Sequence, residues 1–380
     1  MSDIAILHGN YLNRGGGERV ADELASACDA PLYYGFGNES ALPDDEIERI
    51  QLFDPNKLSK WLSRKVYQYR DFMFMWYGTH RPELFDYDVV IQSGNEFGWY
   101  VPKQMDQTIV KYVHSPPRGP YDMHYKHGES PLHRAYSLAA KTLYGHTTSY
   151  VDLYLANSEV VAKRCRKAWG IDPKVVYPPV DVASYGPEYA ETNRERTYLT
   201  FSRLYRHKRT REIVQAFQGI DGNLIVGGDG PQRERLEQAA GSNVDVRGYL
   251  SEEEKRRVLA EVDGFIFNAE NEDFGIVPIE AMASGTAVIG IDDGFTKHQI
   301  KDGQNGVLYP TGKPDDIQRA VSQFQNHGVL WSASEIEQFA EQFSRERFVN
   351  EINDAITTAQ EQSRITPKLN GLSEVSDVGP

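Results

Sequence analysis

The sequence predicts an α/β protein of two halves, each a parallel sheet whose strands alternate with helices. Three observations carry this expectation. Short apolar, β-branched runs recur through residues 3–180 and again through 197–289, with helix-length segments between them. That alternation is the pattern of βαβ units and parallel sheets. Between the two series, residues 183–196 are polar, rich in Glu, Tyr and Gly, and show no period. At 380 residues the chain is also too long for one typical domain.

The elements follow in order. Asp3–His8 reads as the first strand and Glu18–Cys28 as the first helix. Tyr87–Ile91, Thr108–Val113 and Leu153–Ala156 read as further strands, and Lys174–Val180 is strand-like until Pro178 and Pro179 break it. Residues 1–182 then make a first domain, 183–196 a linker and 197–343 a second domain. The second series begins with a strand at Thr197–Phe201, a helix at Thr210–Phe217, a strand at Asn223–Val226, a helix at Pro231–Ala240 and a strand at Val244–Val246. Ser251 and Glu254 have the spacing of a capping box, so a helix starts there. Gly264–Phe267 is a buried strand end. An acidic loop follows, and a helix begins near Val277-Pro278, where a first-turn proline is tolerated because its N–H would be unpaired anyway. Gly285 stops that helix and Thr286–Ile289 is the next strand. Ser344–Gln362 is the last helix. Residues 363–380, polar with Pro and Gly, read as a disordered tail.

Composition excludes several classes. The formal net charge of −14 argues against general nucleic-acid affinity, which rewards clustered positive charge. Cys28 and Cys165 lie far apart and outside any C-x-x-C pattern, so neither a disulfide scaffold nor a cysteine zinc site is expected, and a reducing compartment fits. His124, His127, His133 and His146 have no tight carboxylate or cysteine constellation and are read as surface residues, so no metal is expected. No signal peptide is expected, and no run reaches the roughly 20 apolar residues that span a bilayer. The expected setting is cytoplasmic, soluble or peripheral. Residues 57–77 differ from the rest in being basic and aromatic, with Trp61, Leu62, Phe72, Phe74 and Trp76. Such a segment has two readings, a helix lying on an anionic membrane surface or one packed on its own domain.

The most informative stretch runs from Phe267 to Gly290. Its loop sets Glu272 ahead of a helix and Glu280 inside it, seven residues between them, with Phe274-Gly275 enclosed. A helix start favours an anion through free N–H groups and the helix dipole. Two carboxylates beside such a site would repel the anion, so each is expected to face hydroxyls. After the strand at Thr197–Phe201, Arg203 and Lys208 sit five residues apart in a run of basic residues. Gly227-Gly228-Asp229-Gly230-Pro231 follows another strand. In the first half, Gly15-Gly16-Gly17-Glu18-Arg19 lies between the first strand and helix; Val20 stands where a dinucleotide fingerprint needs its third glycine, which disfavours a nicotinamide cofactor. Lys111-Tyr-Val-His-Ser-Pro-Pro-Arg118 holds His114 between a strand and two prolines.

Together these motifs resemble the family 4 retaining glycosyltransferases, which have the GT-B fold: two Rossmann-like domains with parallel sheets facing a central cleft. The resemblance spans residues 1 to 362. It implies that Glu272 contacts the transferred sugar and Glu280 the nucleotide ribose. Arg203 and Lys208 match the pair that neutralises the donor diphosphate, where a preorganised cation stabilises the leaving group. The amides around Phe274, Gly275, Ile276 and Val277 would join them. Gly228 matches a turn that lets backbone approach the nucleotide. Tyr249 and Leu250 would line the base pocket, and Gly16 and Gly17 would approach the donor phosphate, the glycine loop aligning in either of two registers. His114, with Ser115 in place of the family's threonine, takes an active-site role toward the sugar. Arg118 would hold a phosphate of donor or acceptor. The last helix commonly crosses back to the first domain in this family.

The implied function is transfer of a hexosyl unit from a UDP- or GDP-sugar, with retention and without a bound metal or other cofactor, to a glycan or polyprenyl-linked glycan in polysaccharide or protein glycan synthesis. In the family the leaving phosphate accepts the acceptor's proton, so no side-chain nucleophile is needed. Two other readings stand beside it: a nucleotide-sugar epimerase or hydrolase of the same fold, and a non-catalytic nucleotide-sugar-binding scaffold of a glycan assembly complex.

Overall fold

The computed structural model describes residues 3–11, 15–37, 42–43, 45–52, 82–94, 106–117, 121, 135, 137–139, 141–142, 148–191 and 194–373. The chain divides into two compact units: Met1–Tyr177 with Phe348–Pro380, and Pro178–Arg347.

The first unit holds a seven-stranded sheet. Its strands are β1 (Ile4–Tyr11), β2 (Leu32–Gly37), β3 (Arg49–Gln51), β4 (Val89–Ser93), β5 (Thr108–Val113), β6 (Leu153–Ala156) and β7 (Lys174–Val175). They pair in the order β3-β2-β1-β4-β5-β6-β7, and every pairing is parallel. Every residue of β4 and β5 is buried. A parallel strand covered on both faces reads as a continuous apolar run, which is why these segments are legible as strands. Helix α1 (Gly16–Cys28) follows β1 directly, and α2 (Glu159–Trp169) starts at Ser158, whose hydroxyl accepts from the Val161 N–H at 3.3 Å.

The second unit holds a six-stranded sheet, again all parallel, in the order β10-β9-β8-β11-β12-β13. The strands are β8 (Arg194–Phe201), β9 (Asn223–Gly227), β10 (Val244–Gly248), β11 (Val262–Phe267), β12 (Ala287–Ile291) and β13 (Gly306–Tyr309). Its helices are α3 (Thr210–Ala216), α4 (Arg233–Ala239), α5 (Glu252–Glu261), α6 (Ile276–Ala283), α7 (Thr296–Gln299), α8 (Pro314–His327) and α9 (Ala333–Ala340). The capping box at the head of α5 forms as its spacing predicts: Ser251 Oγ accepts from the Glu254 N–H at 3.1 Å and Glu254 returns to the Ser251 N–H at 2.9 Å. Gly285, at φ 75°, follows the end of α6 and lets the chain turn into β12.

The last helix, α10 (Arg345–Ser373), places Phe348, Ile352, Ala355, Ile356 and Ala359 in the core of the first unit with Ile6, Tyr112, Leu155 and Val176. That spacing is one helix face. Phe348 meets Tyr112 edge-on at 6.1 Å.

Two boundaries differ from the sequence expectation. The helix runs through residues 363–373, given above to a tail on the strength of Pro367 and Gly371. An established helix gains one hydrogen bond per added residue, so late breakers stop it less than they prevent its start. The stretch 183–196, given as a linker, holds two short 3₁₀ turns, Val182–Ser184 and Pro187–Tyr189, and β8 already begins at Arg194. Residues 57–77, Arg118 and residues 374–380 lie outside the described residues. Among the described residues no helix is long and apolar enough to cross a membrane.

Candidate active site

In open parallel sheets, ligands bind beyond the carboxyl ends of the strands where the strand order reverses. In the second sheet that point lies between β8 and β11. β8 ends at Phe201 and its loop carries Arg203 and Lys208; β11 ends at Phe267 and its loop carries Glu272 into α6. The topology thus brings together two motifs more than sixty residues apart: Lys208 Nζ donates to Glu272 Oε2 at 2.6 Å. Their side chains are 14% and 21% exposed, so the pair is shielded and yet open to a ligand. The sequence expectation set Lys208 on a phosphate and Glu272 on hydroxyls; here each is the other's counter-ion. Arg203 is exposed, and its guanidinium stands 5.9 Å from the Tyr205 ring, which stacks on His207.

The Glu272 loop is held from outside its own motif. Asn271 adopts a left-handed φ of 53°, and its N–H donates to Asp293 Oδ2 at 2.6 Å. The Phe295 N–H donates to the Glu272 carbonyl at 2.9 Å. Gly294, at φ 56°, packs so closely that an added Cβ would lie 2.5 Å from the Glu272 nitrogen and 2.6 Å from its carbonyl oxygen. Phe274 is buried and stacks on Phe295 at 5.2 Å.

Gly275 caps α6 at φ 83°, a conformation that glycine adopts without strain. The fully buried Gln299 donates from Nε2 to the carbonyls of Phe274 and Gly275, both at 2.9 Å. In a trans peptide the C=O and N–H point opposite ways, so tying these two carbonyls turns the Gly275 and Ile276 N–H groups away from Gln299. The Val277 N–H in the same first turn has no intrahelical acceptor, and Pro278 has no donor to leave unpaired. Free first-turn amides of this kind are the groups to which anions bind at helix starts.

Glu280, one turn further along α6, is buried, and its Oε1 accepts from Lys255 Nζ at 3.0 Å. Lys255, on α5, is buried as well and also meets Glu252 Oε2 at 2.8 Å. The Gly228 N–H donates to the Gly248 carbonyl at 2.6 Å. Leu250 is buried against Gly227, whereas Tyr249 is 74% exposed.

The first sheet reverses between β1 and β4, and three polar side chains meet at that end. His8 and Ser93 are register partners on β1 and β4, and His114 follows β5. Ser93 Oγ and His114 Nε2 are 2.9 Å apart, and the His8 and His114 rings meet edge-on at 6.3 Å. Burial, and then the neighbouring His8, push the His114 imidazole down to about 3, so it is neutral at physiological pH. Its backbone carbonyl accepts from Asn157 Nδ2 at 2.9 Å. Gly16 and Gly17 open α1, and a Cβ on Gly17 would stand 4.0 Å from both His8 and His114. Among the described residues no cluster of three or more His, Cys, Asp or Glu is arranged to hold a metal ion.

Sequence reasoning missed Lys255, Asp293, Gln299 and His8. Only His8 carried a signal, as a polar residue ending an apolar strand at its carboxyl end.

Residues 185–344 match the family described as Glycosyl transferases group 1. The match covers the second unit and leaves the first unmatched. The chain is GT-B in fold, with two parallel-sheet α/β units. N-acetyl-alpha-D-glucosaminyl L-malate synthase of Bacillus anthracis is 28% identical over 188 residues, 46% of this chain and 49% of that one. Alpha-1,3/1,6-mannosyltransferase ALG2 of Homo sapiens is 25% identical over 288 residues, 66% of this chain and 67% of that one. The chain thus spans about half the length of the first of these relatives and two thirds of the second. Among solved structures, Anabaena Alr3699/HepE in complex with UDP-glucose superposes with a TM-score of 0.69 at 18% identity, covering 93% of this chain and 99% of that one, a likeness of fold. The matched residues include every motif residue from Arg203 to Glu280.

Proposed function

We propose that this protein transfers a hexosyl unit from a UDP- or GDP-sugar to a glycan or lipid-linked glycan acceptor, with retention of configuration. The observation that carries the proposal is the Lys208–Glu272 pair beside the amides of Gly275, Ile276 and Val277, at the strand-order reversal of the second sheet. Cation and amides suit a diphosphate that gains charge as the glycosidic bond breaks. Arg203 adds a second cation, and these charges take the part a metal would otherwise play. Once the diphosphate shares Lys208, Glu272 is released to accept from hydroxyls of the transferred sugar. Glu280 takes the ribose hydroxyls, and Gly228, Tyr249 and Leu250 border the base.

The first unit receives the acceptor. His114, neutral, hydrogen-bonds a sugar hydroxyl, Arg118 holds a phosphate, and the Gly16 and Gly17 amides are available to a phosphate. The leaving phosphate accepts the acceptor's proton. A UDP-sugar is the first donor to try, since HepE was solved with UDP-glucose. The test is incubation with UDP-glucose or GDP-mannose and a polyprenyl-linked glycan, with the product read by NMR at the anomeric carbon. An α-linked product supports the proposal. A β-linked product refutes retention, and release of free sugar alone refutes transfer.

A further inference from the structure

We propose that Lys255 is a positioning residue that makes the site selective for ribonucleoside over 2′-deoxyribonucleoside diphosphates by fixing the Glu280 carboxylate. The inference rests on the reading of the second unit as a nucleotide-sugar site, and it concerns a residue outside every motif considered above.

Lys255 belongs to the charged helix α5 and by composition should lie on its solvated face. Instead its side chain is 2% exposed and that of Glu280 is 5% exposed, with Nζ and Oε1 3.0 Å apart. The ammonium lies 5.6 Å from the ring of Phe201, the last residue of β8, and 5.5 Å from the ring of Tyr185. The pair therefore sits at the carboxyl edge of the sheet, next to the loop that carries Arg203 and Lys208.

A buried ion pair is poor evidence of stabilisation, because well-packed apolar side chains in its place are often as stable. What such a pair does supply is an oriented charge. Two aromatic rings limit where the ammonium can go, and Glu252 holds it from a second side at 2.8 Å. Binding one carboxylate oxygen from a fixed direction sets the plane of the whole carboxylate. Glu280 then presents an anionic acceptor at a fixed angle, and two vicinal hydroxyls on a ribose match a carboxylate that a single hydroxyl satisfies only in part. A site built to hydrogen-bond a hydroxyl discriminates against the analogue that lacks it, because its buried polar group is left unpaired. Lys255 holds one oxygen of this carboxylate in place before ligand arrives.

The experiment measures dissociation constants of UDP, 2′-deoxy-UDP, GDP and 2′-deoxy-GDP for wild type, Lys255→Gln, Lys255→Arg and Glu280→Gln. Wild type is expected to bind the ribose form of its preferred nucleotide at least tenfold more tightly than the deoxy form. In K255Q that ratio falls below about threefold, through weaker binding of the ribose form, while the deoxy form stays within about twofold of wild type. K255R keeps the charge and restores most of the ratio. The double variant K255Q/E280Q binds no more weakly than E280Q alone, because both changes remove one interaction. A merely structural lysine would weaken both nucleotide forms equally, and that result overturns the proposal, as does a K255Q protein with wild-type selectivity. Should the Lys255 variants fail to fold, a crystal structure of wild type with UDP decides. Lys255 still on Glu280, with the carboxylate on the ribose hydroxyls, supports the proposal; an ammonium withdrawn from Glu280 overturns it. Wild type that binds none of the four nucleotides refutes the nucleotide-sugar reading itself. Wild type that binds without ribose preference leaves that reading standing and refutes only this inference.

Discussion

Gly294→Ala tests the support of Glu272 without touching any motif residue. Gly294 has φ 56°, and its added Cβ would lie 2.5 Å from the Glu272 nitrogen, a separation that real Cβ atoms do not show. Two costs add. A non-glycine residue in the left-handed region costs roughly 1–2 kcal/mol. Overpacking against backbone adds about 1–3 kcal/mol, because neither the glutamate's nitrogen nor its carbonyl can swing aside as a flexible side chain would. Gly303→Ala is the internal control: its φ is 74°, and nothing stands within 4 Å of the added Cβ. The control isolates the conformational cost, and the difference between the two variants measures the contact. Urea unfolding should place G303A about 1–2 kcal/mol below wild type with unchanged kcat, and G294A about 2–5 kcal/mol below it. Because the overlap is relieved by moving Glu272, kcat of G294A should fall at least tenfold at a temperature where it remains folded, with a smaller change in nucleotide affinity. G294A indistinguishable from G303A in both stability and kcat would refute the reasoning.

Other consequences follow from the same geometry. Gln299→Leu frees the Phe274 and Gly275 carbonyls in a buried setting, which should cost about 1–3 kcal/mol in urea unfolding; it should also weaken UDP binding severalfold by calorimetry, as the first-turn amides lose their orientation. Phe348→Ala should destabilise the first unit by about 3–5 kcal/mol, read by hydrogen exchange at the β1 and β5 amides, since the ring is fully buried against Tyr112. His114, held neutral and pushed down to about 3, gives a signed pH dependence. The unfolded chain takes up the proton near pH 6.5 and the folded chain does not, so this contribution is present above pH 6.5 and is lost as pH falls toward 3. The slope is at most about 1.4 kcal/mol per pH unit, and His114→Gln should lack it in matched denaturation series.

The reading from sequence succeeded where the signal is local. β4 and β5 are legible because both faces are buried, α5 because Ser251 and Glu254 cap it, and the end of α6 because only glycine suits the turn at Gly285. The contacts among the motif residues were not legible. Glu272 and Glu280 each meet a lysine from a different element, a pairing that depends on strand order rather than spacing. Lys255 reads as one more charge on a polar helix and Gln299 as one polar residue in a short one; only tertiary packing makes both buried. Helix α8 went unassigned although Pro314 and two aspartates mark its first turn.

Whether the Lys208 and Glu272 loops bind a nucleotide sugar is decided by calorimetric titration of UDP-glucose, UDP-N-acetylglucosamine, UDP-galactose and GDP-mannose into wild type and into Lys208→Met. At least one of them should bind wild type, and K208M, folded by circular dichroism, should bind it at least tenfold more weakly. Its ligand-dependent stabilisation, about 2.7 kcal/mol at one hundred times the wild-type dissociation constant, should shrink accordingly. If none of the four binds wild type, or if K208M binds as wild type does, the loops around Lys208 and Glu272 do not form a nucleotide-sugar site.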